Sequence, residues 1–254
     1  LQAENQGLGK QFGKTMSIMA ESANADNYTE GRILLFDKPY GWTSFDLVRK
    51  VRNTLSRNLK IKKLKVGHAG TLDPLATGLM ILCTGKATKK IEDLQLEEKE
   101  YIATLKLGAT TPSYDMETEE DRQYPAEHIT KSMMEDIFQQ FTGNILQVPP
   151  VFSAVKIDGK RAYEHARKGN EPELKAKNIV IHSIDLISLD MPHAVLRVTC
   201  GKGTYIRSLA RDLGIALGSG AYLTGLRRTR SGNFRVEDAD SVEMFLEKQK
   251  QLSS

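Results

Sequence analysis

A chain of 254 residues is long enough to bury one large core or two small ones. With 40% hydrophobic and 27% charged residues its composition is ordinary for a globular protein; no apolar run nears the roughly 18 residues of a membrane helix, and the N-terminus carries no signal-like segment. Two cysteines, Cys83 and Cys200, and no C-x-x-C pair argue against a disulfide scaffold or a zinc ribbon, which leaves a cytoplasmic enzyme or binding protein without a metal as the default.

Residues 1 to 30 are polar and rich in Asn, Gln, Glu, Gly and Ala, and are expected to be a disordered extension or leader. "GLGKQFGKT" imitates a phosphate loop, but Leu8 stands where the first glycine is needed and no strand precedes it. Order is expected from "RILLFDKPYGWTS", an apolar strand that ends at Asp37, followed by a turn at Pro39 and Gly41. Thr43 or Ser44 then caps a helix whose Phe45, Val48, Val51 and Leu55 share one face, with Arg49, Lys50 and Arg52 turned elsewhere.

Residues 49 to 65 hold eight Lys or Arg and no acid; Arg227, Arg228 and Arg230 form a second cluster. The plain reading is solvated surface, but two such clusters favour a polyanion such as nucleic acid.

In "KVGHAGTLDPLATGLMILCTGKATK" the lone carboxylate, Asp73, precedes a proline and so sits on a bend. Pro74 suits the first position of a short helix ended by Gly78, with Asp73 as its cap. A helix cap is the plain reading. A charged carboxylate on a rigid bend beside a glycine-lined gap also suits a nucleophile.

Further on, "YIATLKLGA" alternates as a half-buried strand, and a loop after residue 121 feeds a helix stopped by Gly143. "NIVIHSIDLISLD" and "HAVLRVTCG" read as a hairpin turning at Met191-Pro192. Ile206, Leu209, Ala210, Leu213 and Leu217 line one face of a helix, and "DSVEMFLEKQK" is a closing helix. Strands and helices do not alternate strictly. The expected class is α+β, with a mixed, mostly antiparallel central sheet flanked by helices.

These residues carry a resemblance. "GHAGTLDPLATGLMILCTGKATK" resembles the signature of the TruB family of tRNA pseudouridine synthases. "LLFDKPYGWTS", "KEYIATLKLGATTPSYDMET", "QVPPVFSAVKIDGKRAYEHARKG", "CGKGTYIRSLARDLG" and "LTGLRRTRSGNF" agree with it in the family's order, over about residues 32 to 240. The departures are a longer basic segment at 57 to 65 and an end too early for the PUA-type C-terminal domain of many relatives. The resemblance implies a catalytic domain over 31 to 240, an inserted RNA-gripping lobe at 149 to 174, and a terminal helix or tail at 241 to 254.

It also implies a reaction: isomerisation of uridine to pseudouridine at position 55, in the T-loop of tRNA, with neither cofactor nor metal. The sequence does not reveal the oligomeric state, and a monomer is the working expectation. Asp73 matches the catalytic aspartate. His68 matches the histidine that enters the RNA loop, and Tyr101 the ring that lies against the flipped base. Arg207 matches the arginine that pairs with the aspartate, orienting it and keeping it charged. Tyr205 and Leu226 match positions at the base pocket. On their own these would read as a turn histidine, a buried strand tyrosine, a surface helix arginine and ordinary core. Lys38 would reach a phosphate or brace the active-site loop. Lys156, Lys160, Arg161, Arg167 and Lys168 of the lobe, with Arg227 and Arg228, would meet the RNA backbone.

Two rivals stand beside this. One is a non-catalytic RNA-binding or tRNA-folding module on the same scaffold, which the presence of Asp73 argues against. The other is a sugar hydrolase with paired carboxylates, but the acidic pairs in "MEDI" and "TEED" fall on expected surface.

Overall fold

The computed structural model describes residues 25–153, 156–157, 160–161 and 174–251. In chain order the first half runs α1 (Ala25–Glu30), β1 (Ile33–Lys38), α2 (Ser44–Asn58), β2 (Val66–His68), β3 (Ala76–Thr84), α3 (Ile91–Leu96) and β4 (Lys99–Leu107). Then come β5 (Ala109–Thr110), β6 (Arg122–Gln123), α4 (Lys131–Phe141), β7 (Gly143–Gln147), β8 (Lys156–Ile157) and β9 (Lys160–Arg161). The chain continues with β10 (Lys177–Asp190), β11 (His193–Cys200), α5 (Ile206–Ala216), β12 (Ala221–Ser231), β13 (Phe234–Arg235) and α6 (Val242–Gln251).

Nine strands form one sheet, ordered β1-β3-β12-β4-β11-β10-β7, with β13 on β12 and β2 on β3. The β3–β12 pair is parallel and the other described pairs of this sheet are antiparallel, so the expected α+β class is what forms. Helices α2, α4, α5 and α6 cover one face around the main core. A smaller cluster on the other face gathers Ala69, Leu79, Ile81, Cys83, Leu94 and Val236. Strand β3 supplies both: Met80 and Leu82 face the main core, Leu79, Ile81 and Cys83 the smaller one. This two-sided burial is why "LMILC" reads as an unbroken apolar run.

Three local expectations are corrected. Residues 25–30 lie in the stretch expected to be disordered, yet they form α1 and bury Tyr28 against the main core. One aromatic anchor outweighs the polar composition around it. On α2, Phe45 is 60% exposed, and Leu47 joins Val48, Val51 and Leu55 in the core; the apolar stripe is centred one residue away from the expected face. Pro74 opens no helix. Ala76 N donates to Asp73 O at 3.1 Å, a β-turn with proline at its second position, and β3 starts at once. Burial of β3 on both faces outweighs the helical start that Asp-Pro suggests. Of the expected lobe at 149–174, only 149–153, the short β8–β9 pair and residue 174 fall within the described residues. The glycine-rich decoy at 7–15 lies outside them.

Gly78 explains the other side of the turn. Its φ is +102°, and a Cβ there would stand 2.2 Å from Arg228 O and 2.7 Å from Arg228 N, both main-chain atoms of β12. Gly41 has φ +81° with open space around it. Gly78→Ala is therefore expected to cost about 3–5 kcal/mol, combining backbone strain with a collision that neither strand can relieve. Gly41→Ala should cost only the strain, roughly 1 kcal/mol. Thermal denaturation checks this: a fall of about 8 °C or more for the first and about 3 °C for the second, while equal falls would mean that the β3–β12 contact is unimportant.

Candidate active site

The segment 70–74 between β2 and β3 is tied down almost atom by atom, by two distant stretches of chain, 38–44 and Arg228. Arg228, 2% exposed, donates from Nη2 to Gly70 O at 3.1 Å, from Nη1 to Thr71 O at 3.5 Å and from Nε to Leu79 O at 2.7 Å. Ser44, at the start of α2, donates to Leu72 O at 2.8 Å and accepts from Leu72 N at 2.9 Å. Pro74 O accepts from Gly41 N at 2.9 Å and from Lys38 Nζ at 3.4 Å. Lys38 is fully buried and also donates to Trp42 O at 2.7 Å and Pro39 O at 3.0 Å. Desolvation lowers its ammonium to about 8, with Asp73 acting in the opposite sense.

What this scaffold presents is the Asp73 carboxylate, its side chain 39% exposed. Arg207 Nη2 lies 3.0 Å from Asp73 Oδ2. The arginine belongs to the first turn of α5 and is 4% exposed. Its Nη2 also donates to Phe152 O at 2.8 Å, and its Nη1 donates to Ser113 O at 3.2 Å and lies 3.5 Å from Asp115 Oδ2. One buried cation thus faces two carboxylates, of which Asp73 opens to solvent and Asp115 does not.

Asp115 is one of two residues that sequence reasoning missed. It sits in a curled loop closed by Thr111 Oγ1 donating to Asp115 O at 2.7 Å and Asp115 Oδ1 accepting from Glu117 N at 2.9 Å. Tyr114 takes φ +62° there and its carbonyl accepts from Leu223 N at 3.0 Å. In the sequence Asp115 heads an acid-rich stretch of surface appearance. The available signal was its place in "SYDMET", within one of the stretches that carry the family resemblance. Gln147 was also missed: 2% exposed, it donates to Tyr205 O at 3.1 Å and accepts from Tyr205 N at 2.8 Å, fixing the residue that leads into α5.

A narrow cleft joins Asp73, Asp115 and Arg207 to Leu75, Leu223 and Leu226. Tyr101 is buried on β4, in register with Arg228 of β12, whose charge acts on its phenol. Burial raises its phenol pKa, and the Asp73 charge adds to the rise. Burial also raises Tyr205, again with Asp73 contributing. His68, at the end of β2, has its pKa lowered by burial, and its Nδ1 is buried with no hydrogen-bond partner among the described residues.

The cations expected on RNA phosphates fare differently. Lys38 and Arg228 are buried and brace the 70–74 loop, so neither reaches a phosphate. Arg227 is gripped by both oxygens of Asp37, at 2.7 and 3.0 Å, and Arg230 pairs with Glu98 at 2.5 Å. Each arginine of the second basic cluster is thus engaged by the protein itself, Arg228 buried and Arg227 and Arg230 in part-exposed ion pairs. The side chains of Lys156, Lys160, Arg161, Arg167 and Lys168 lie outside the described residues. Among those residues, no group of three His, Cys, Asp or Glu is placed to hold a metal ion, and no helix is long and apolar enough to cross a membrane.

Residues 56–206 match the N-terminal domain of TruB family pseudouridylate synthases, and residues 207–251 match the C-terminal domain of tRNA pseudouridylate synthase B. The Asp73–Arg207 pair spans the junction. The tRNA pseudouridine synthase B of Phocaeicola vulgatus is 62% identical over 87% of this chain and 94% of its own; that of Parabacteroides distasonis is 59% identical over 87% and 95%. Among solved structures, a chain of a Cbf5-Nop10-Gar1 complex aligns with TM-score 0.65 and 28% identity over 87% of this chain. A chain of an H/ACA RNP bound to a substrate RNA containing 2'-deoxyuridine aligns at 0.62 and 26% over the same share. This chain spans about half the length of each of those two (54% and 53%). With one family model covering more than half of it and relatives near 60% identity along almost their whole length, the chain belongs to the TruB family of pseudouridylate synthases.

Proposed function

We propose that this chain isomerises uridine to pseudouridine at position 55 in the T-loop of tRNA, acting as a cytoplasmic monomer with Asp73 as the catalytic carboxylate. The observation that carries the reading is the Asp73–Arg207 pair: a solvent-open carboxylate locked to a buried guanidinium at the mouth of a leucine-lined cleft. The reaction breaks the bond from ribose C1' to uracil N1 and makes one to C5. The C5 proton is lost and N1 ends protonated, so atoms balance with no second substrate. The ring must be held while it turns, and a narrow apolar slot does that by proximity. Leu226 walls the slot, and Tyr205 is the second contact to the base.

Reaching the bond requires flipping the nucleotide out of the loop, at a cost of a few kcal/mol. His68 is the group proposed to enter the RNA loop in its place. Burial favours its neutral ring, which suits stacking in a loop of bases. Tyr101 lies against the flipped base, and its hydroxyl, kept protonated by burial, moves a proton during the exchange. The lobe cations Lys156, Lys160, Arg161, Arg167 and Lys168 hold phosphates of the T-arm.

Three outcomes test this. Asp73→Asn keeps the shape and removes the charge, so conversion of a tRNA transcript, mapped nucleotide by nucleotide, should fall at least 1000-fold while tRNA binding stays within about threefold. Residual conversion at a tenth of wild type would assign the chemistry to another group. Arg207→Lys supplies a charge but not a planar fork, and kcat should drop about 100-fold with little change in KM. Arg207→Met strands two carboxylates and should in addition lower stability by about 3–5 kcal/mol. For Tyr101, Phe retains the stacking surface and Ala does not. Phe should lower kcat alone, and Ala should raise KM as well, by the roughly 1–3 kcal/mol of a stacked base.

A further inference from the structure

A groove of about 710 Å³ on the described surface is separate from the Asp73 cleft and lies between α2 and α6. Trp42 and Leu246 are its apolar lining, and Asn58 Nδ2 donates to Gln249 O at 3.3 Å, tying the two helices together beneath it. Four cations, Arg49, Lys50, Arg57 and Lys250, line it against one carboxylate, Asp46. Asp46 is already engaged, by Arg49 at 2.9 Å and by the Thr43 cap of α2. Lys50 and Arg57 are exposed and, among the described residues, have no ion-pair partner.

Two features give this groove a direction. One end is the loop of Gly41 and Trp42, bonded to Pro74 next to Asp73 by Gly41 N and Lys38 Nζ. From there α2 runs about 22 Å, its 15 residues rising about 1.5 Å each. At the other end the chain reverses at Lys60, φ +54°, and exposes Lys60, Lys62, Lys63 and Lys65. The result is a positive track that starts beside the reacting carboxylate and leads away from it. A membrane surface would call for a broad apolar face, and the groove sets two guanidinium and two ammonium groups around Trp42 and Leu246. A polyanion that leaves the catalytic cleft fits better.

We infer that the α2–α6 groove is a second RNA-backbone site, which holds phosphates of the tRNA outside the T-arm. This rests on the reading of tRNA as substrate. Contacts of this type set position and affinity and carry no sequence information.

The test is the full chain with Lys50→Gln and Arg57→Gln together, both on the surface and away from Asp73, assayed on full-length tRNA and on an isolated T-arm hairpin at about 50 and 200 mM salt. On full-length tRNA, kcat/KM at the lower salt should fall about 10-fold, through KM, and the log–log salt slope should shrink by about 1 to 2. On the hairpin, kcat and KM should stay within twofold of wild type. Parallel losses on both substrates would place the groove on the T-arm itself and overturn the proposal. An unchanged KM and slope on tRNA would overturn it too, leaving the groove to an anion or an acidic protein. Failure of the wild type to convert even the hairpin would strike the assignment of the Asp73 cleft, a distinct result.

Discussion

The site depends on one buried guanidinium. Arg207 is almost sealed from water, and taking its charge out of solvent costs several kcal/mol unless partners replace the lost hydration. Two carboxylates and two carbonyls do so at Nη1 and Nη2, while Nε has no partner among the described residues, and they come from three separate places: the 70–74 turn, the 111–118 loop and the segment after β7. If any of these shifted, the charge would lose a ligand. The need to satisfy Arg207 therefore fixes the position of Asp73 more tightly than a surface ion pair could, since exposed pairs are worth at most about 1 kcal/mol.

The sheet makes that position possible. Asp73 sits where β3 begins, and β3 is held between β1 on one side and the parallel β12 on the other. The parallel register puts Gly78 beside Arg228 and Ala76 beside Leu226. So the strand that begins at the carboxylate also aligns the leucine of its cleft. Arg228, rising from the same register pair, turns back to hold Gly70 and Thr71. Catalytic loop, base pocket and brace are thus set by a single strand pairing, and Gly78 is small because two main chains touch there.

Much of this was legible in the sequence. Spacing found the amphipathic α5 with Leu209, Leu213 and Leu217, alternation found β4, and the turn at Met191-Pro192 joined β10 to β11. Asp73 stood out because proline and glycine flank it, and Arg207 because the resemblance pointed to it. What was not legible shares one cause: pattern reports the period of an element and not its tertiary partners. Nothing local tells that Asp115 turns inward, that Asp-Pro opens a strand, or that Tyr28 anchors a helix in a polar stretch. Each of those outcomes was decided by groups 30 or more residues away.

Charge shows the same limit most clearly. Two runs of basic residues looked alike in the sequence, and the fold treats them oppositely. On β12, alternation sends Arg227 and Arg228 to different faces, where Asp37 takes one and loop carbonyls take the other, while Arg230 finds Glu98. Lys99, also in the sheet, gives its protons to Gln95 O and Glu97 O, and burial lowers it to about 8. Cations on a central strand are surrounded by backbone and neighbours, so they become fasteners. Cations on α2 and the turn after it have solvent on their side, and a helix one face deep in the core must present the rest of its circumference outward. Among the described residues the positive field open to a polyanion therefore comes chiefly from the helix run, and its proximity to Asp73 follows from the Gly41–Pro74 bond that ties the start of α2 to the catalytic turn.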